Sequence, residues 1–241
     1  MRTHALLSLG AAALFCAGCD THLFSPPART APLESAATLP DGDYGVQGEL
    51  AAHGGGIWGP SLTSGTARVR RGFGDSTDLS LEATVLHEGD PGSVPTNRNA
   101  YAGRFGVKEQ LAPWVALTAG LGGGGSAAGG FFSPDMGIIF AYENRYFVPF
   151  LSGRLSFSQP FARRAVAITP ATSDSAGVID TPMLTWIESA TLGFRIPMPS
   201  GSHEDRGEVR AALLAGLTLS SLDDGEQETF VSGTLGLELM F

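Results

Sequence analysis

Charged side chains at alternate positions are the feature of this sequence best suited to chemistry. In several stretches an Arg or Glu lies between apolar neighbours, so an extended backbone directs it to the opposite face. Arginine binds carboxylates bidentately, and such a set either neutralises itself in a confined space or biases the passage of ions through a pore. The set comprises Glu49, Arg68, Arg70, Glu82, Arg104, Arg154, Arg195, Glu208, Arg210 and Glu238.

Two histidines are the candidates for acid–base chemistry near neutral pH. His53 and His87 lie near predicted strand ends, and neither has an Asp or Ser partner at a recognisable spacing. The glycine run GGGGSAAGG at residues 122–130 lacks both the lysine of a phosphate-binding loop and a following helix, so we expect a flexible external loop there. The sequence therefore predicts no catalytic residue, no metal site and no cofactor.

The elements that must position the charged set are β-strands. The chain is 43% hydrophobic and only 16% charged, with 33 glycines and 15 prolines, which favours β-structure over helix. After Asp43 it divides into about ten segments with period-two apolar spacing, bounded by turn residues. In the last segment one face carries Leu235, Leu237, Leu239 and Phe241, and the other carries Thr234, Gly236, Glu238 and Met240.

Other segments repeat this separation of apolar and charged faces. Strong examples cover residues 79–85, 101–108, 147–157 and 208–219, and weaker ones cover residues 44–52, 67–73, 115–121, 136–142 and 184–196. In the last of these, Glu188 falls on the apolar face, and we expect it at the outer membrane interface.

The connections alternate between long and short, as expected for a barrel with long loops at one rim and short turns at the other. Residues 53–61, 88–97, 122–135, 159–181 and 221–228 form the longer ones, and residues 72–77, 109–113 and 143–145 the shorter ones. The connection at residues 197–207 is longer than this scheme predicts. An even strand number then places both barrel termini in the periplasm.

Residues 1–18 have the pattern of a secretory signal, with Arg2 followed by an apolar run too short to span a bilayer. The run ends in Phe15-Cys16-Ala17-Gly18-Cys19, which resembles the lipobox of bacterial lipoproteins, although Cys16 stands where leucine is usual. The resemblance implies lipidation of Cys19, and cleavage by ordinary signal peptidase is the alternative. Asp20 resembles an inner-membrane retention signal, but sorting rules differ between phyla.

Residues 20–43 are rich in Pro, Ala, Ser and Thr and show no apolar periodicity, which predicts a disordered tether between the lipid anchor and the barrel. At the other end, the alternation that finishes at Phe241 is similar to the terminal strand of bacterial outer-membrane β-barrels. This resemblance implies that the barrel-assembly machinery recognises Leu235, Leu237, Leu239 and Phe241.

These observations predict an all-β, antiparallel, up-and-down transmembrane β-barrel of about ten strands, with eight or twelve as alternatives. Residues 1–18 are the signal peptide, residues 19–43 the lipidated N-terminus and tether, and residues 44–241 the barrel, with the charged set in its lumen. The expected function is a structural or narrow-pore role in the outer membrane. The alternatives are a periplasmic lipoprotein with a soluble β-sandwich acting as a binding module and, less favoured, a barrel hydrolase.

The expected partners follow from this location. They are outer-membrane lipids, lipopolysaccharide, the barrel-assembly machinery and the lipoprotein-processing machinery. The formal net charge of −9 argues against nucleic acid as a partner.

Overall fold

Ten antiparallel strands close into one barrel in the computed structural model, which describes residues 24–54, 61–88, 99–167, 179–198, 209–225 and 227–241. Neighbouring barrel strands follow one another along the chain, and the last pairs with the first. A separate two-stranded sheet joins β8 (Val166–Ala167) to β9 (Ile179–Asp180). The barrel strands are β1 (Tyr44–Gly54), β2 (Ser61–Phe73), β3 (Thr77–Glu88), β4 (Ala100–Ala112), β5 (Val115–Ser126), β6 (Gly129–Ala141), β7 (Val148–Phe161), β10 (Thr185–Pro197), β11 (Arg210–Asp223) and β12 (Gln227–Met240).

This architecture confirms the predicted up-and-down barrel of about ten strands. The soluble β-sandwich alternative is wrong, because β1 pairs with both β2 and β12 and the sheet closes on itself instead of facing a second sheet. Within the described ranges, no helix is long and apolar enough to cross a membrane.

The two rims of the barrel differ. β1 begins and β12 ends at one rim, where the backbone groups of Tyr44 and Phe241 exchange hydrogen bonds of 2.8 and 2.9 Å. We call this rim the terminal end and the opposite rim the far end. The turns at residues 74–76 and 113–114 lie at the terminal end, whereas the long connection between β7 and β10 lies at the far end.

The glycine run does not form the flexible external loop that its composition predicts. β5 continues to Ser126 and β6 begins at Gly129, leaving only a tight turn between them. Gly122 of the run and Gly120 just before it face the interior, where a Cβ on Gly120 would lie 2.1 Å from Arg104 Nη2 and one on Gly122 would lie 2.4 Å from Ala28 Cβ. The run is therefore a strand whose missing side chains leave room for other interior groups.

The outward face of the barrel is apolar. Leu50 is 74% exposed, and Leu81, Leu192 and Leu217 are similarly open. Aromatic pairs lie at both rims. Tyr44–Phe241 and Trp114–Phe140 stack at the terminal end, and Phe157 and Trp186 contact each other with tilted rings at the far end. An apolar band between aromatic girdles is the exterior of a membrane-embedded barrel, where hydrocarbon covers the side chains.

Glu188 points outward near the far end, two residues along β10 from Trp186. A carboxylate at this depth lies beside the aromatic girdle, where its charge reaches water at small cost. Glu188 therefore lies outside the barrel near one rim, and its place at a membrane interface stays a prediction.

The segment before β1 differs from the disordered tether expected between anchor and barrel. Residues 24–43 cross the barrel interior, and Leu33 and Ala36 are fully buried there. Their low periodicity reflects an irregular path through the lumen, because side chains of the barrel satisfy the backbone groups that a strand or helix would pair internally. We call residues 24–43 the inner segment.

The apolar exterior generates a stability prediction for two outward positions of the same hairpin, one in the middle of the barrel and one near the far end. Leu81→Arg should lower the free energy of unfolding in lipid vesicles by about 2–4 kcal/mol, whereas Thr63→Arg should cost about 0–1 kcal/mol because it lies near the rim. Denaturant titrations followed by tryptophan fluorescence measure both. Equal costs at the two positions would contradict the assignment of hydrocarbon to the barrel middle.

Candidate functional site: the lumen and its inner segment

Hydrogen bonds fix the inner segment at both rims. At the far end, Ser25 N–H donates to Thr185 Oγ1 (3.0 Å), and the hydroxyls of Ser25 and Ser158 lie 2.8 Å apart. At the terminal end, Leu39 N–H donates to Asp78 Oδ1 (2.8 Å) and Gly42 N–H donates to the carbonyl of Gly72 (3.2 Å). The segment therefore runs from one rim of the barrel to the other.

Apolar contacts hold the segment between these ends. Ala28 packs into a buried cluster with Ala102 and Phe131. Leu33 occupies space that glycines leave open, because a Cβ on Gly216 or Gly236 would lie 2.7 or 3.4 Å from its methyl carbons. Leu33 and Ala36 belong to a second cluster with Ala116, Ile139, Ala141, Val148, Phe150 and Leu214.

Barrel side chains satisfy much of the segment's backbone. Gln47 Nε2 donates to the carbonyl of Leu33 (2.8 Å), and Lys108 Nζ donates to the carbonyl of Ala37 (2.5 Å). Glu143 Oε1 accepts a hydrogen bond from Ala37 N–H (3.0 Å). Each of these bonds replaces one that water would make to an extended chain in solution, so the segment can be buried without regular secondary structure.

Six charged side chains, one from each of β1, β2, β3, β4, β6 and β7, form a ring in the middle of the lumen. Arg104 contacts Glu82 and Asp135, each at 2.6 Å, and Arg154 contacts Asp135 at 3.0 Å. On the other side, Arg68 lies 2.9 Å from Glu49. We call Glu49, Arg68, Glu82, Arg104, Asp135 and Arg154 the mid-barrel ring.

A second group lies nearer the terminal end. Arg70 pairs with Asp78 (3.1 Å) and with Glu238, and Lys108 lies 3.2 Å from Asp78. Arg195 Nε contacts Glu238 at 2.7 Å. We call Arg70, Asp78, Lys108, Arg195 and Glu238 the terminal-end ring.

Two charges of the inner segment complete both rings. Arg29 lies 3.0 Å from Glu82 and 3.7 Å from Glu49, and its guanidinium also bonds to Glu34 at 3.0 Å. Glu34 in turn lies 3.4 Å from Arg68 and 3.8 Å from Lys108. Since both side chains are buried, the charges of the inner segment and of the two rings depend on one another for partners inside the barrel.

The structure places most of the predicted charged set inside the barrel. Arg210 lies at the terminal rim instead, where it is half exposed and pairs with Asp43 at 3.1 Å, because β11 begins at this residue. Glu208 lies outside the described residues. The remaining members are interior: Glu49, Arg68, Arg70, Glu82, Arg104, Arg154, Arg195 and Glu238.

Among the residues that the structure describes, five interior charges are missing from the set predicted by sequence. Lys108 lies on the charged face of the predicted segment 101–108, and Asp78 lies on the same face as Glu82 four residues earlier, so the alternation itself indicates both. Asp135 falls in the stretch expected to be a loop. The other two, Arg29 and Glu34, lie in the inner segment, where no periodicity marks them.

The filled interior leaves little space. A polar cavity of about 10 Å³ remains between the inner segment and the terminal-end ring, lined by Arg29, Glu34, Arg70, Asp78, Arg104 and Lys108 among others. This volume is about the least that one water molecule needs.

His53 points into the lumen near the far end, and His87 is exposed. The Nδ1 of His53 lies 2.6 Å from Ser232 Oγ and its Nε2 lies 2.8 Å from Ser64 Oγ, so the ring joins β12 to β2 across β1. Ser64 also contacts Thr30 of the inner segment at 3.2 Å. His87 Nδ1 lies 2.7 Å from Asn99 Oδ1. Both serines near His53 are buried, and this arrangement positions the inner segment.

Other predicted sites occupy separate places. Leu235, Leu237, Leu239 and Phe241 all point outward on β12 and at its end. Cys19 lies outside the described residues. Among the side chains that the structure describes, no group of three or more His, Cys, Asp and Glu is arranged to hold a metal ion.

Comparisons with known proteins give no family. No protein-family model matches the chain, and no curated protein matches it. The siderophore receptor PirA from Pseudomonas aeruginosa is 8% identical with a TM-score of 0.31, over 80% of this chain and 34% of the receptor. A double mutant of the ferric enterobactin receptor PfeA from the same organism is 9% identical with a TM-score of 0.29, over 76% of this chain and 32% of the receptor.

A third structure, from work on the in-meso crystallization of membrane proteins, is 11% identical with a TM-score of 0.35, over 82% of this chain and 83% of the other. The chain thus spans about a third of the length of the two receptors. At these TM-scores, the barrel assignment rests on the strand pairing of this chain itself.

The ion network generates a prediction about its most connected acid. Glu82→Gln removes the charge that faces Arg29, Arg68 and Arg104, and it should lower the free energy of unfolding by about 3–5 kcal/mol because buried cations lose their partner. Arg210→Gln is the matched control, since its half-exposed pair with Asp43 should be worth only about 0–1 kcal/mol. The denaturant midpoint of each variant is compared with that of the unmodified protein. Similar midpoints for Glu82→Gln and Arg210→Gln would show that the network contributes little to stability.

Proposed function

We propose that this protein is an outer-membrane β-barrel lipoprotein with a structural role, whose lumen is closed by its own N-terminal segment. The observation that supports this proposal is the inner segment, which crosses the lumen and contributes Arg29 and Glu34 to the ion network. A barrel filled in this way is suited to anchoring a polypeptide in the membrane without conducting ions.

The exterior of the barrel and its connections support the outer membrane as its location. Antiparallel barrels with even strand numbers, short turns at one rim and long loops at the other are typical of that membrane. Here the longest connection, between β7 and β10, lies at the far end, which also has the tight turn after β5. The terminal end has two turns of two or three residues and a longer connection between β10 and β11. We therefore propose that the terminal end faces the periplasm, with Tyr44 and Phe241 at this rim.

Several partners follow from this location. The outward apolar alternation that ends at Phe241 suits recognition by the barrel-assembly machinery, and the lipobox-like sequence suits lipidation at Cys19 by the lipoprotein-processing machinery. Arg163 and Arg164, exposed just beyond β7 at the far end, are positioned to meet the phosphates of lipopolysaccharide.

A narrow pore becomes possible when the inner segment leaves the lumen. Planar-bilayer recordings test this directly: the full chain should show no steady conductance, whereas a variant lacking residues 24–39 should show discrete channels. Heat-modifiable migration in detergent confirms that the shortened protein still forms a barrel. A folded, shortened barrel that does not conduct would exclude the pore.

A full-length pair of variants provides a control for this experiment. Leu33→Glu places a carboxylate in the apolar cluster and should cause intermittent openings, since burying an unpaired charge is costly. Pro40→Glu lies in the same segment but is exposed, so it should behave as the unmodified chain does. Openings in both variants would show that conductance does not depend on how the segment is packed.

Ion preference in the open variant tests which side chains line the path. Without the inner segment, the two rings hold six basic and five acidic side chains among the described residues, so anions should be favoured slightly. Replacing Arg104 or Arg154 with Gln in the shortened protein should shift the reversal potential toward cation preference. An unchanged reversal potential in both variants would contradict a pore-lining position for these arginines.

A further inference from the structure

The course of the inner segment separates the N-terminus of the mature chain from the barrel termini. Phe24 forms a parallel bridge to Met183 just before β10, and Ser25 bonds to Thr185 and Ser158, so both residues lie at the far end. Residues 40–43 lie at the opposite rim, where Asp43 N–H donates to Pro40 O (3.1 Å) and Gly42 bonds to Gly72. The chain therefore enters the barrel at the far end and leaves it at the terminal end.

From these contacts we infer that the lipid carried by Cys19 is inserted in the leaflet at the far end, which makes the mature N-terminus a cell-surface anchor. The inference rests on the proposed function for the lipidation of Cys19 and for the orientation of the barrel. That Phe24 and Tyr44 lie at opposite rims of the barrel depends on neither the lipidation nor the orientation.

Chain length excludes the other leaflet. Four residues lie between Cys19 and Phe24, so five Cα–Cα steps join them, and at most about 3.6 Å per step gives about 18 Å in all. The apolar band of an outer-membrane barrel is about 25 Å tall. A lipid on Cys19 therefore cannot reach the leaflet at the terminal end while Phe24 remains at the far rim.

The far rim beside Phe24 offers a short path to lipid. Met183, Trp186 and Phe161 are exposed there, with 50%, 50% and 56% of their surfaces open. Phe161 lies on β7, Trp186 lies on β10 and Met183 lies just before β10. Ser25 contacts the same two strands. Acyl chains leaving the lumen at this point would pass over apolar side chains instead of the charged interior.

Thiol labelling of intact cells tests the inference. Cys19 is blocked when it is acylated and Cys16 leaves with the signal peptide, so Thr21→Cys and Asp75→Cys each introduce a single reactive thiol. Asp75 lies in the exposed turn between β2 and β3 at the terminal end, and it is the matched control. The probe is a maleimide coupled to a polyethylene glycol chain too large to cross the outer membrane.

We expect intact cells to label Thr21→Cys, and Asp75→Cys to label only after the outer membrane is permeabilised. Labelling of both thiols from the same side of the membrane would overturn the inference. If intact cells label only Asp75→Cys, the two thiols still lie at opposite ends of the barrel, but both the surface anchor and the proposed orientation are wrong. Intact-mass measurement of the purified protein tests lipidation separately, since a mass without acyl groups overturns the lipid anchor whatever the labelling shows.

Discussion

The mutual neutralisation of buried charges is the constraint on which the rest of this structure depends. A guanidinium or carboxylate removed from water is stable only with partners in good geometry. Here Arg29 of the inner segment lies between Glu82 and Glu49, and Glu34 lies between Arg68 and Lys108. The barrel and its N-terminal segment are therefore a single electrostatic unit, in which neither part is complete without the other.

The size of the barrel explains why a segment of its own chain is needed. Eight strands enclose an interior that side chains just fill, and ten strands enclose somewhat more. The strands of this barrel enlarge the space further with inward glycines, among them Gly120 beside Arg104, and Gly216 and Gly236 beside Leu33. The inner segment fits this space because most of its residues are small, and Leu33 enters where those glycines leave a gap.

The same arrangement accounts for the composition of the lumen. The backbone groups of an irregular segment do not pair with one another, and each of them is costly to bury without a hydrogen-bond partner. Gln47, Lys108 and Glu143 supply those hydrogen bonds from three different strands or their ends. Side chains that look like a pore lining in sequence thus also serve as hydrogen-bond partners for the segment that fills the pore.

The sequence by itself determined the barrel, because alternation along a strand depends only on local backbone geometry. The outward Leu235, Leu237 and Leu239, and the inward Glu82 and Arg104, follow from period two without knowledge of neighbours. Only the tertiary structure decided that residues 24–43 are buried in the lumen and that the glycines at residues 122–125 form part of a strand. Burial of Leu33 and the strand conformation at Gly122 depend on contacts between parts far apart in the chain, and such contacts leave no periodic signal in a single sequence.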